Sequence, residues 1–421
     1  DASGAIRAAL QRIYYMIWVR DGAIIEAFGG YAGRAAALER WTEFLLANPT
    51  VVEGEEPAGR TFTQMVNGKI GKWQEDGIFY AAWSAFAAWT QTGEERFRSP
   101  EVLALLDESI DWLERYCFVE ERGLFGRFHS CETPLPGSRG DGWDNAVGKP
   151  AGYTDVRYEG ERIVQSFDIY VNLFMHATYA MMAAMDPDSA GDYLSRADAL
   201  AENMGHFFGQ GLPSYGDLLT EDGKIIHAGP YGTDRCDFEW ALSVPPLCPE
   251  PWRLPEMRSA LYEDAMDEPK GYFLAAWFSM LHSLDTDWFP EEKVLEAVEY
   301  AAEQCYPPGR DLPMPNTIVE MLGMTEENRG HYIRPQAFSV GPWLATMTGL
   351  GLRRLPFGLA VRATKTLESI TDYLYRGGTI DLSFEGEGPI ESVAVNGEQV
   401  AHTLQVPEEM LREGPNEISV R

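Results

Sequence analysis

The sequence has no run of about 18 apolar residues, so no membrane-crossing helix is expected. It is short of basic residues. Lys and Arg number 34 against 65 Asp and Glu, a formal charge of −31. Nucleic-acid binders draw their affinity from Lys and Arg on phosphates. The balance therefore argues against a nucleic-acid partner and against an anionic lipid surface. Cysteine is scarce: Cys117, Cys131, Cys236, Cys248 and Cys305 are scattered, odd in number, and form no Cys-x-x-Cys pair. That argues against a zinc site and a disulfide framework. The histidines show no His-x-His or His-x-x-x-His spacing, so no metal is expected. Phosphate-loop, dinucleotide and nucleophile-elbow glycine patterns are absent as well, and no cofactor is expected. The N-terminus lacks the basic, apolar, small-residue order of a signal peptide. It starts at Asp1 rather than Met, as a processed chain would, so the compartment stays open.

What is present is apolar and aromatic. Apolar residues make up 45% and aromatics 12%, enough for a large core and too much for a disordered chain. The length suits one large domain, or one large and one small. Helical spacing of apolar residues predicts helices over 4–28, 34–47, 77–92, 100–117, 168–185, 189–208, 271–284, 290–305 and 337–350. They come in pairs. The first of a pair is aromatic nearly all round and expected inside; the second is amphipathic and expected outside. Successive aromatic helices stand roughly 100 residues apart. Long connections over 48–76, 118–167, 209–270 and 306–336 are the natural home of function. After about residue 353 the period changes to two. Strands are expected over 357–366, 379–385, 390–396, 399–406 and 416–421, with turns at Gly377-Gly378, Asn396-Gly397 and Glu413 to Asn416. The expected architecture is thus an all-α toroid of paired inner and outer helices over 1–352, followed by a small antiparallel, β-sandwich-like module over 353–421. The module reads as a structural support; a carbohydrate-binding role is the less favoured reading, because it has few aromatics to expose.

Several segments carry candidate chemistry. Trp18-Val-Arg20-Asp21-Gly22 closes an aromatic run, and a charged pair inside an apolar helix is costly unless paired or functional. It resembles the Trp-x-Arg-Asp motif of glucoamylase-like (α/α)6 glycoside hydrolases, which implies sugar-hydroxyl contacts for Arg20 and Asp21, with Trp18 able to stack on a sugar face. Trp73-Gln74-Glu-Asp76-Gly77 resembles the Gln-x-Asp-Gly turn of glucoamylases and implies contacts from Trp73, Gln74 and Asp76; Asp76 serves equally well as an N-cap. Gly142-Trp143-Asp144-Asn145 resembles the segment that holds the general acid in family 63 glucosidases and trehalases. Asp144 is the acid by that match, with Trp143 a sugar platform. Glu132, in the same loop, is the alternative acid, as in glucoamylases. The following Ser166 to Asn172 run resembles a family 63 helix start, with Asp168 capping and Asn172 facing the funnel. Arg334-Pro-Gln336-Ala-Phe-Ser resembles the Gln-Ala-Trp-Ser helix start of debranching-type enzymes, whose general base lies about fifteen residues upstream. Glu320 stands there, between Val319 and Met321, and Gln336 is the implied sugar contact.

Taken together, these resemblances imply an exo-acting, inverting glycosidase of an α-linked glucoside or oligosaccharide. Asp144 protonates the leaving oxygen and Glu320 activates water, about 6.5–9.5 Å apart. Tryptophans, Trp240 and Trp252 among them, can stack on sugar faces. The segment Asp234 to Trp240 matches no family motif, though Asp237 or Glu239 has the chemistry of a substitute catalyst. Three other readings stay open. A sugar epimerase or isomerase would use loop histidines such as His129, His227 and His331. A polysaccharide lyase would leave an unsaturated product. A non-catalytic toroid would bind sugar without turnover. Oligomeric state is not legible.

Overall fold

A computed structural model gives the fold. It describes residues 17–52, 59–62, 64–66, 69–72, 76–126, 157–158, 161–162, 166–208, 218–220, 222–223, 225–226, 291–292, 294–296, 298–299, 340–355, 358–386, 389–400 and 404–421. The helices are α1 (Val19–Tyr31), α2 (Ala35–Ala47), α3 (Gly77–Thr92), α4 (Pro100–Cys117), α5 (Ile169–Met185), α6 (Ala190–Phe208) and α7 (Val340–Gly349). The described residues between 291 and 299 are helical too. The expected helix over 271–284 lies outside the described residues, as does most of 290–305. Among the described residues, no helix is long and apolar enough to cross a membrane.

The helices alternate between inside and outside. All of α3 is buried except Trp89 and Thr92, and α1 is buried except Arg20, Asp21 and Tyr31. By contrast α4 buries a single stripe, Leu105, Leu106, Ser109, Ile110, Trp112, Leu113 and Cys117. Trp41 of α2 fills the angle between α1 and α3. Its ring occupies the space above Gly22, where a Cβ would fall 2.2 Å from it, and its Nε1 donates to Ser84 Oγ at 3.2 Å. Phe79 of α3 stacks on Phe174 of α5 with centroids 4.1 Å apart and planes 5° apart.

Side-chain pairs set the directions. Along α4, Asp107, Glu114 and, just beyond it, Gly123 meet Tyr193, Arg196 and Asn203 of α6, so α4 and α6 run parallel. Glu114 accepts from Tyr179 of α5, and Phe125 past the end of α4 meets Asn172 near the start of α5. α4 and α5 are therefore antiparallel. The short Gly93–Ser99 link makes α3 and α4 antiparallel as well, so α3 and α5 run the same way. The inner helices thus start at one end of the molecule, where the long connections arrive, and the outer helices return them.

One expectation needs correction here. α1 begins at Val19, and Trp18 precedes it with an extended backbone (φ −94, ψ 124). Arg20 and Asp21 therefore sit in its first turn, at the end where α3 also starts, not inside a long apolar helix.

The strands before the C-terminal region are short. β1 (Thr50–Val52), β2 (Gly59–Thr61), β3 (Gln64–Val66), β4 (Lys69–Lys72), β5 (Phe118–Val119), β6 (Leu124–Phe125), β7 (Arg157–Tyr158), β8 (Glu161–Arg162), β9 (Ser166–Asp168), β10 (Leu218–Thr220) and β11 (Ile225–Ile226) lie in the long connections. Asp168 ends a strand, and α5 starts after it. Then come β12 (Leu352–Leu355), β13 (Gly358–Val361), β14 (Ser369–Tyr375), β15 (Gly378–Phe384), β16 (Val393–Val395), β17 (Glu398–Val400), β18 (Gln405–Val406) and β19 (Gly414–Val420). They form a three-stranded sheet, β12-β13-β18, and a five-stranded sheet, β14-β15-β19-β16-β17. Leu352, Leu359, Val361 and Val406 of the first sheet share one apolar core with Tyr373, Ile380, Leu382, Val395 and Ile418 of the second. The expected all-antiparallel order is not met, because β19 inserts between β15 and β16 and pairs parallel to β15.

The sheets close the helix C-termini. Last-turn carbonyls of a helix have no partner within it. Here Tyr373 Oη donates to Tyr31 O (2.7 Å), Leu374 N–H to Gly33 O (3.3 Å) and Arg376 N–H to Gln91 O (2.9 Å), while Gln91 Nε2 donates to Leu374 O (3.1 Å). The β region thus rests on the ends of α1 and α3 opposite Arg20 and Asp76.

Candidate active site

Two of the expected site residues meet at the loop-bearing end. Arg20 Nε lies 3.0 Å from Asp76 Oδ2, with side chains 11% and 1% exposed. They come from different helices, the first turn of α1 and the start of α3. Asp76 occupies the N-cap position of α3, yet its side chain makes no cap bond. Its carbonyl accepts from Tyr80 N–H at 3.2 Å, and its carboxylate goes to the guanidinium instead. Such a pair is fixed by its burial, since parting either member leaves a charge out of water. Trp18 is buried just before α1, and Asp21 is half-buried beside Arg20.

The Asp76-Gly77 turn has a physical reason. A Cβ on residue 77 would lie 2.1 Å from the Phe62 carbonyl oxygen. Only glycine lets the backbone after β2 approach the start of α3 this closely. β2 is held to α4 in turn: Arg60 N–H donates to Glu108 Oε1 at 3.1 Å and Arg60 Nε to Glu108 Oε2 at 2.7 Å. Phe62 is absent from the expected site, because an apolar residue in a polar loop reads as packing.

Asn172, expected as a sugar contact, lies in the first turn of α5. It is fully buried, and its amide clamps Phe125: Phe125 N–H donates to Asn172 Oδ1 (2.8 Å) and Asn172 Nδ2 donates to Phe125 O (2.9 Å). This clamp splices β6 to α5. Trp73, Gln74, Glu132, Trp143, Asp144, Glu320 and Gln336 lie outside the described residues.

The pair has the right chemistry for a polyol. Arg20 carries N–H donors and Asp76 carboxylate acceptors, and vicinal sugar hydroxyls both donate and accept. Solved structures share the arrangement of helices. A glycosidase aligns over 83% of this chain and 92% of its own, with 15% identity and a TM-score of 0.51. The fold is shared with glycosidases. A glucose complex of that glycosidase aligns equally well, with a TM-score of 0.51. A family 63 mannosylglycerate hydrolase from Thermus thermophilus, solved with Tris and D-glycerate, aligns over 82% of this chain and 96% of its own (12% identity, TM-score 0.50). A family 78 rhamnosidase from a Bacillus species aligns over 88% of this chain but 38% of its own (12% identity, TM-score 0.52), so the shared part is one portion of a larger enzyme. At such identities the likeness is one of fold. No protein-family model matches the chain, and no curated protein does.

Proposed function

We propose that the chain is an exo-acting, inverting glycoside hydrolase of an α-linked glucoside or oligosaccharide. It works on a closed (α/α)6 toroid over 1–352, with 353–421 as a supporting β domain. The observation that carries this reading is the buried Arg20–Asp76 pair at the starts of two parallel inner helices, in a fold shared with glycosidases. Arg20 and Asp76 hold hydroxyls of the sugar that is cleaved, with Trp18, Asp21, Trp73, Gln74, Trp143 and Gln336 as further contacts. Asp144 gives its proton to the glycosidic oxygen as the C–O bond breaks. Glu320 takes a proton from the water that attacks the anomeric carbon from the opposite face. One water is consumed, and the product has the inverted anomeric configuration. General acid–base groups contribute about 100-fold or more each.

Asp144→Asn and Glu320→Gln should therefore each lower turnover of an aryl or oligosaccharide α-glucoside by at least about 100-fold with unchanged circular dichroism. Proton NMR of the first product should show the β-anomer. Near-wild-type turnover in either variant overturns that assignment, and for the acid would pass the role to Glu132. An α-anomeric first product would overturn inversion.

A further inference from the structure

We propose that the Phe62–Gly77 contact is a positioning seat for the sugar subsite, so that the hairpin β1–β2 sets the geometry of Arg20 and Asp76 without touching substrate. This rests on the reading of that pair as a sugar contact. Three observations carry it. The Phe62 carbonyl fills the place of a residue 77 Cβ, which couples the end of β2 rigidly to the turn that presents Asp76. Phe62 itself is 1% exposed and belongs to the helical core, so the seat cannot slide. The hairpin is anchored on its other side by Arg60 to Glu108 of α4. The turn thus carries the carboxylate that pairs with Arg20. Displacing that turn shifts one partner of the pair and leaves the other in place.

Gly77→Ala is the direct probe, because the added methyl meets a backbone carbonyl that has no side-chain freedom to yield. Gly30→Ala is the control. Its Cβ would fall 2.5 Å from Leu38 Cδ2, near the far end of α1. Both variants should lose thermal stability. At a temperature where wild type and variants are folded by circular dichroism, kcat/KM on an aryl α-glucoside should fall at least about 10-fold in Gly77→Ala, with a rise in KM. It should stay within about twofold of wild type in Gly30→Ala. Asp76→Asn is measured beside them. If Asp76→Asn is impaired but Gly77→Ala keeps wild-type kcat/KM, the seat is refuted and the subsite stands. If Asp76→Asn is unimpaired, or the wild type hydrolyses no α-glycoside offered, the subsite reading falls and the seat with it. Should Gly77→Ala fail to fold, Phe62→Leu loosens the same support more gently. It should raise KM where Gly30→Ala does not, and an unchanged KM refutes the proposal.

Discussion

A carboxylate buried one and a half turns beyond Arg20 is the most exacting single residue of the described helices. Glu26 is 7% exposed, and its Oε2 has no hydrogen-bond partner among the described residues. Burial holds its carboxyl above the usual range, and the charges of Arg34 and Arg40 only partly offset this. The folded-state value is therefore above the unfolded one, so folding favours the protonated form. That contribution is complete below the unfolded value, near 4.5, and is lost as pH rises through the folded value. Glu26→Gln should melt higher than wild type at pH 7–8, with the difference shrinking toward pH 4; equal melting at every pH would show that Glu26 carries no such cost. In the sequence Glu26 is indistinguishable from a solvated helix residue. Arg20 and Asp76 are legible because charges beside Trp18, or before the run from Ile78 to Trp89, have no solvated face to occupy. What the sequence does not show is that they choose each other.

Among the elements, boundaries with strong punctuation are legible. α3 stops where Gly93 adopts φ +76, and α4 starts at Pro100 after an extended Ser99. The start of α1 is not, because the aromatic run before Val19 continues the helical period up to Trp18, whose backbone is extended. β14 is also hidden. Its alternation breaks at a bulge between Ile370 and Tyr373, where Asp372 takes φ +55. Asn172 shows how elements are joined by a polar residue that reads as functional. Asn172→Ala would leave the Phe125 N–H and C=O without their partner in a buried place, at a cost of about 1–3 kcal/mol for each group. Urea unfolding should show a midpoint shift of that order. A loss under about 0.5 kcal/mol would mean that another group replaces the amide.

At the scale of the whole molecule, the C-terminal sheets act on the helices at a distance from the candidate site. Because Tyr373, Leu374 and Arg376 satisfy the ends of α1 and α3, the region is expected to be inseparable from them. Tyr373→Phe should cost about 1 kcal/mol. A chain ending at 352 should be insoluble or lack cooperative melting by circular dichroism, and a soluble, cooperatively melting truncation would overturn this. Period and composition made the helical and β regions legible, but not this contact, since a hydroxyl on a carbonyl some 340 residues away leaves no local pattern. The common direction of α1, α3 and α5 has one more effect. Each helix places about half a positive charge at its N-terminus, and Asp21 and Asp76 stand at two of these ends. A chain with 65 acidic residues thus stabilises carboxylates at these helix starts with aligned peptide dipoles. That field does not titrate, and no side-chain substitution removes it.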